Sequence, residues 1–284
     1  MSATIYEPKG KAREYSPLAL NYYKGCNHNC KYCYVKPMMK RFNKNYSHNV
    51  VTSKGGKVTK EVLSLIEKSC KKHQNSKKQV LLNFTSDPYN SLEIQLGPKR
   101  GLTYFALTQL LKYNIPTVIL TKNHKAIRDI DLFKKFGDNI MVGFSLTFDN
   151  LKDSQEWESG ASTPNNRLSS LTELKHKGIK TWASFEPVIY PKQSLNLLKE
   201  VCFFEYVDFV KIGKLNNYKG LDKDIDWTDF LNKAVEICRR YKIPFYIKKD
   251  LLKFKDENLQ LTENETNSDY LFLKNTKMLT NQLF

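Results

Sequence analysis

The hydrophobic positions change period repeatedly along the chain. Short apolar runs at residues 18–23, 79–84, 116–120, 140–144, 180–185, 207–212 and 245–247 are too brief for helices and read as buried strands. Between them lie longer stretches with apolar residues three and four apart. Thr59 is placed to cap the first of these, in which Val62, Leu65, Ile66 and Cys70 make one stripe. The same period marks helices over 103–113, 126–136 and 164–177, the last stopped by Gly178. Two more follow, one capped by Ser194 and running to Val201, one capped by Asp226 and running to Tyr241. Residues 36–56 lack either period, are basic and end in Gly55-Gly56, so they read as loop.

Strands alternating with helices of this length predict βαβ units and an α/β fold built on a parallel sheet. The strand ends favour a barrel over a doubly wound sheet. Polar or ligand-type residues follow one strand after another: Cys26, Ser86-Asp87, Lys122, Ser145, Glu186 and Lys214. In a parallel barrel those ends share one face, where chemistry collects. No Gly-x-Gly-x-x-Gly or Gly-Lys-Ser/Thr motif is present, which argues against a dinucleotide or P-loop site.

A chain of 284 residues, 40% hydrophobic and 26% charged, supports one large core. With no internal repeat and no clean linker, the expected organisation is a lead-in over 1–17, broken by Pro8, Gly10 and Pro17, a barrel over 18–250, and an appendage over 251–284. The lead-in either folds back over the site or lies on the surface. The appendage is polar except for Tyr270-Leu271-Phe272-Leu273. No apolar run is long enough for a membrane span, and no secretory leader is visible. Six cysteines, three of them clustered, suit a reducing cytoplasm and a metal site better than a disulfide framework. The net charge of +17 points to a polyanionic partner, nucleic acid above all. Only seven of the 46 basic residues are Arg, however, and an A/T-rich genome encodes the same Lys- and Asn-rich mixture.

The three clustered cysteines are Cys26, Cys30 and Cys33, in the run Gly25-Cys26-Asn27-His28-Asn29-Cys30-Lys31-Tyr32-Cys33-Tyr34. Thiolates this close hold zinc or an iron–sulfur cluster. A closed structural zinc site needs four protein ligands, whereas three leave a position open for a non-protein ligand. His28 is the candidate fourth zinc ligand, but it sits between the first two cysteines and is poorly placed to complete a tetrahedron. It reads as a loop residue beside the metal.

The loop resembles that of the radical S-adenosylmethionine (SAM) superfamily. Several stretches resemble its spore photoproduct lyase-like group, also described as DNA repair photolyases: Glu7-Pro8-Lys9-Gly10, Ser16-Pro17-Leu18-Ala19-Leu20-Asn21, Cys-x-Tyr-Cys-Tyr and Thr85-Ser86-Asp87-Pro88-Tyr89. Ser184-Phe185-Glu186-Pro187-Val188-Ile189 is also similar to a phage-associated group within the superfamily. The resemblance covers residues 5–250 and implies a partial, six-stranded (βα) barrel. It further implies that Cys26, Cys30 and Cys33 ligate a [4Fe–4S] cluster whose fourth iron is chelated by SAM. Tyr32 would lie against the adenine, Tyr34 near SAM and the hydrogen-return path, and Ser86, Lys122 and Ser145 on SAM. Glu186 at the barrel mouth would bind the SAM ribose or act as a base. The implied reaction is reductive cleavage of SAM to a 5′-deoxyadenosyl radical that takes hydrogen from a substrate. A nucleic acid is the expected substrate, with a flavodoxin or ferredoxin as electron donor. A peptide, protein or small metabolite is the alternative substrate, and a metal-bearing nucleic-acid-binding module without catalysis is the rival reading. One position departs from the group: Phe84 stands where the lyase carries a hydrogen-donating cysteine just before Thr-Ser-Asp. Cys70, Cys202 and Cys238 read as buried thiols on outer helices. Lys211 and Lys214 are expected either to receive a phosphate or to face solvent, and Arg167 either to reach a carboxylate or, as the favoured reading, to lie on the surface.

Overall fold

The computed structural model describes residues 3–97, 99–215, 218 and 224–268. Its frame is an eight-stranded sheet. The ten strands of the described chain are β1 (Ile5–Tyr6), β2 (Leu18–Leu20), β3 (Tyr23–Lys24), β4 (Val51–Thr52), β5 (Val80–Leu82), β6 (Thr117–Thr121), β7 (Ile140–Ser145), β8 (Lys180–Phe185), β9 (Phe209–Ile212) and β10 (Phe245–Ile247). The sheet order is β1-β2-β5-β6-β7-β8-β9-β10, and β3 and β4 form a separate ribbon. From β2 to β10 all neighbours are parallel. Only β1 is antiparallel, with Ile5 opposite Leu20.

Alternation along the strands separates two apolar faces. Leu81, Val118, Trp182, Phe209 and Tyr246 come from five strands and meet in one small cluster. Strands so far apart in the order share one cluster only if the sheet curls, with these side chains on its concave face. The intervening residues, among them Val80, Ile119, Val142, Ala183, Val210 and Ile247, join the main core beneath the helices. The expected α/β barrel is therefore present, with one parallel strand beyond six and an antiparallel edge.

The helices start where local chemistry allows. Side chains of Thr59, Asn90, Asn150, Thr163 and Asp226 accept backbone N–H bonds at helix starts. Ser194 does not cap its helix. That helix begins at Pro191, and Ser194 is buried within it. Proline fits a first turn because its missing N–H would have no partner there. For the same reason Pro37 does not prevent a helix at Val35–Arg41, inside the stretch expected to be loop. Within 126–136, the chain runs as a 3₁₀ helix (His124–Asp129) before the α-helix Ile130–Phe136.

The lead-in folds back. After β1 it crosses to the far edge of the sheet, where Glu14 accepts bonds from the Tyr246 hydroxyl (2.7 Å) and the Lys249 N–H (2.8 Å). Lys211, 1% exposed, donates from Nζ to the carbonyls of Glu14 (2.7 Å) and Tyr15 (2.9 Å) and lies among the rings of Tyr15, Trp182 and Tyr246. It neither faces solvent nor is available for a phosphate. Lys214 lies over Trp227 and Phe254. Of the appendage, Glu263–Thr266 forms a short helix tied to Arg239 through Glu265. Tyr270-Leu271-Phe272-Leu273 lies outside the described residues.

Hydrogen bonds to a buried ammonium contribute about 1.5–3 kcal/mol each. Lys211→Met is therefore expected to lower stability by roughly that amount and to expose Lys11 and Arg13 to trypsin. Urea unfolding and limited digestion check this; an unchanged midpoint with the lead-in still protected would show that Lys211 does not hold the segment.

Candidate active site at the carboxyl ends of the strands

The strand ends are locked together before the site begins. Asn83 accepts the N–H bonds of Tyr22 (3.0 Å) and Tyr23 (3.3 Å), while Asn21 accepts that of Phe84 (2.7 Å). This reciprocal pair fixes the exits of β2 and β5 side by side. The cysteine loop leaves from β3 and is gripped on both flanks. On one flank the Gly160 N–H donates to the His28 carbonyl (3.0 Å) and the Lys31 N–H to the Trp157 carbonyl (2.9 Å). On the other the Tyr46 hydroxyl donates to the Cys26 carbonyl (3.2 Å). Both flanks approach so closely that only glycine fits. A Cβ on Gly25 would lie 2.2 Å from the Asn49 carbonyl oxygen, and one on Gly160 would lie 2.1 Å from that of Asn27. Gly25 also has φ +76°, where side chains are disfavoured.

The loop opens on a cavity of about 280 Å³. Cys26, Cys30, Cys33, Tyr32, Tyr34, Ser86, Lys122, Ser145 and Glu186 all line it. The cavity thus brings together the candidate metal, SAM and catalytic residues of the sequence, from the cysteine loop and the ends of four further strands, but neither Lys211 nor Lys214. Phe84 lines it too, with Leu81 and Leu120 making an apolar wall.

Behind the cavity lies a buried charge network. Asp87 takes four donors: the Thr121 hydroxyl (2.6 Å), the N–H groups of Tyr89 and Lys122 (both 2.8 Å), and His28 Nδ1 at 3.4 Å. Ser86 is held nearby by Asn90 (3.3 Å). Glu158, 1% exposed, accepts from the Tyr32 hydroxyl and from Arg167, and lies 4.0 Å from Lys122 Nζ. Burial pushes its carboxyl above the usual range, and the Arg167 guanidinium opposes the rise. Arg167 is buried rather than on the surface; it also donates to the carbonyls of Ser145 and Ser162 (both 2.9 Å). Lys122 Nζ sits 5.6 Å from the Tyr32 ring centroid.

At the far end of the cavity Glu186 accepts from the Tyr15 hydroxyl and from Lys248. Tyr15 also touches Ser184 (3.2 Å), and burial together with Glu186 keeps it protonated well above its ordinary range. The Tyr34 hydroxyl donates to the Phe84 carbonyl. Tyr15, Glu158 and Lys248 are the site residues that sequence reasoning missed. Lys248 directly follows β10, so the rule that picked the other strand ends would have found it.

The loop thiols are shaped by burial. Burial pushes Cys26 up to about 11, opposed by N–H groups of His28 and Asp87, and pushes Cys30 up as well, opposed by Lys122. All three thiols line the same cavity. Yet no trio of His, Cys, Asp or Glu among the described residues is arranged to close on a single ion. Cys70, Cys202 and Cys238 lie in the main core, away from the cavity.

The family model described as the radical SAM superfamily matches residues 20–204. The chain belongs to the radical SAM superfamily. An uncharacterized protein of Methanocaldococcus jannaschii is 30% identical over 211 residues, 70% of this chain and 73% of that one. An uncharacterized protein of Acidianus two-tailed virus is 30% identical over 204 residues, 69% of this chain and 64% of its own. Among solved structures, a spore photoproduct lyase with bound AdoMet and dinucleoside spore photoproduct is similar with a TM-score of 0.62 and 14% identity, over 86% of this chain and 78% of that chain. At that identity the likeness is one of fold. Radical SAM proteins use a [4Fe–4S] cluster and SAM. No helix of the described residues is long and apolar enough to cross a membrane.

Removing one partner of a buried ion pair costs about 3–5 kcal/mol, while replacing both by apolar groups is far cheaper. Arg167→Met is thus expected to destabilise this radical SAM protein by roughly that amount, and Arg167→Met with Glu158→Leu by much less. Urea unfolding of the four-member cycle measures it; additive losses would mean that the two side chains are not coupled.

Proposed function

We propose that this radical SAM protein cleaves SAM reductively and uses the resulting radical on a nucleic acid. The observation that carries the reading is the convergence of three neighbouring thiols and the SAM-type side chains on one cavity. In this reading Cys26, Cys30 and Cys33 hold the [4Fe–4S] cluster, with no fourth side chain, so that one iron is left for SAM. When bound, the cluster supplies the electron that splits SAM into methionine and a 5′-deoxyadenosyl radical.

The chain's own residues position and shield. Tyr32 is aimed by Glu158 and presents its ring to the adenine. Ser86 and Ser145 offer hydroxyls to SAM. Lys122 meets its carboxylate, and Glu158 and the Tyr32 ring hold the ammonium in place. Glu186 keeps its proton acceptor at the opposite end, between Tyr15 and Lys248. The apolar wall of Leu81, Phe84 and Leu120 excludes water from a reactive carbon radical. A flavodoxin- or ferredoxin-type protein is the electron donor.

Nucleic acid as substrate is supported by the +17 charge and by the dinucleoside photoproduct in the similar lyase structure. The reaction differs from one that returns hydrogen from a thiol before Thr-Ser-Asp, because Phe84 occupies that place.

Anaerobic reconstitution with iron and sulfide tests the core of this proposal. Wild type is expected to gain the broad visible absorbance of an iron–sulfur cluster and to release 5′-deoxyadenosine from SAM and dithionite. Single Cys26→Ala, Cys30→Ala and Cys33→Ala variants should lose both, and Gly160→Ala should lower iron content because its Cβ displaces the loop. Tight stoichiometric zinc with no SAM cleavage would replace this reading by that of a zinc-bearing binding module.

A further inference from the structure

The positive charge is not spread evenly. From Tyr15 to Lys60 the chain carries nine Lys or Arg and no Asp or Glu. That is more than half of the +17 excess in about one sixth of the length. This acid-free stretch includes the whole cysteine loop. Two of its cations find carboxylates, Lys31 with Glu156 (2.9 Å) and Lys54 with Glu61 (3.0 Å). Among the described residues Lys36, Lys40, Arg41 and Lys44 have none.

Those four lie on and just after the helix Val35–Arg41, which continues directly from the cysteine loop. Val35 and Tyr34, at its start, line the cavity. Phe42, at its end, is 68% exposed, the most exposed large apolar side chain described. Tyr34, at the start, is 46% exposed. A solvated helix end accounts for Lys40 and Arg41, since cations favour the carboxyl end of a helix. It does not account for an uncovered phenyl ring between Arg41 and Lys44. Cations that track a backbone, alternating with exposed rings on which bases stack, are what single-stranded nucleic acid requires. An acidic protein surface could use both the cations and the ring, so preference for a single strand over duplex is the deciding observation.

Resting on the nucleic-acid reading above, we propose that the Val35–Arg41 helix and Phe42–Lys44 form the docking rail for a single-stranded or locally unpaired strand. Lys36, Lys40, Arg41 and Lys44 take its phosphates, and Phe42 stacks on one base. Tyr34 and Phe42 are about 12 Å apart along the helix, from a rise of about 1.5 Å per residue. A base held at Phe42 leaves its neighbours within reach of the cavity mouth. A nucleotide must leave its stack to enter a pocket of this kind, so an aromatic that holds the adjacent base lowers that cost. The rail is tied to the cysteine loop: Tyr46 and His48 contact the Cys26 carbonyl, and Lys36 lies over the Tyr46 ring.

Fluorescence anisotropy of the full-length protein with labelled single-stranded DNA, single-stranded RNA and blunt duplex, over a salt series, tests this. Phe42→Ala is expected to weaken single-strand binding by about 5- to 100-fold with an unchanged salt slope, and Phe42→Trp to restore it. Lys40→Gln/Arg41→Gln/Lys44→Gln should weaken binding and flatten the slope by about two, from roughly 0.7 per phosphate. Lys71→Gln/Lys72→Gln, in the last turn of the helix Lys60–Lys72 at the opposite end of the strands, should change neither. If wild type binds a single strand and Phe42→Ala matches it, or if the Lys71/Lys72 pair weakens binding as much as the rail variant, the rail is wrong and the nucleic-acid reading survives. If blunt duplex binds as tightly as single strand, the single-strand assignment is wrong. If wild type binds none of the three, the substrate reading itself falls.

Discussion

The cysteine loop has no regular structure of its own, so its shape depends on how closely other backbone can approach it. Two glycines set that distance. Gly25 admits the carbonyls of Ser47 and Asn49, and Gly160 admits that of Asn27. The loop is thereby pressed between the segment after the Val35–Arg41 helix and the turn after Trp157. Three thiols within one short loop bring their own repulsion once ionised, and burial adds to the cost of ionising them. A loose loop would relieve both by spreading. The backbone clamp prevents this and keeps the three thiols on one cavity.

The same economy runs through the charged residues behind the cavity. Asp87 is saturated by four donors, none of which is a Lys or Arg side chain. It serves as a fastener that joins the ends of β5 and β6 to His28 of the loop. Glu158 is different: its formal charge is met by Arg167 and Lys122 as well as by the Tyr32 hydroxyl. A buried carboxylate with two cations nearby orients a ring and an ammonium at once. Lys122 therefore reaches the cavity from a fixed position, where a solvated lysine would sample many rotamers.

Much of this was legible from the order of apolar runs. Strand after strand ends in a polar residue, and parallel strands put those ends on one face, so Ser86, Lys122, Ser145 and Glu186 could be read without a structure. What escaped came from segments with no period. Tyr15 lies in a lead-in broken by Pro and Gly, and Glu158 in a turn after a short helix. Arg167 looked like any polar residue on a helix, because its burial depends on Glu158 arriving from another segment. Ser194 was misread as a cap although Pro191, three residues earlier, carried the stronger signal for a helix start. The helix Val35–Arg41 escaped because it is short and basic; its Pro37 lies in the first turn, where it breaks nothing.

Phe84 constrains which chemistry the cavity can host. Its ring meets Tyr15 edge-on at 6.2 Å, and its carbonyl receives the Tyr34 hydroxyl. A phenyl group in that place has no hydrogen to return to a substrate radical. Cys70, Cys202 and Cys238 are sealed in the main core, and in the proposed reading the loop thiols hold the cluster. The phenolic hydroxyls along the wall belong to Tyr15, Tyr32 and Tyr34, and each already donates to an acceptor: Glu186, Glu158 and the Phe84 carbonyl. Two of those acceptors are carboxylates, which lower the cost of parting a phenol from its proton when its electron leaves. In the proposed reading, a cavity with a ring at this place and carboxylate-bonded phenols around it favours a radical whose quenching is routed through tyrosine, or one that is returned to the SAM-derived product.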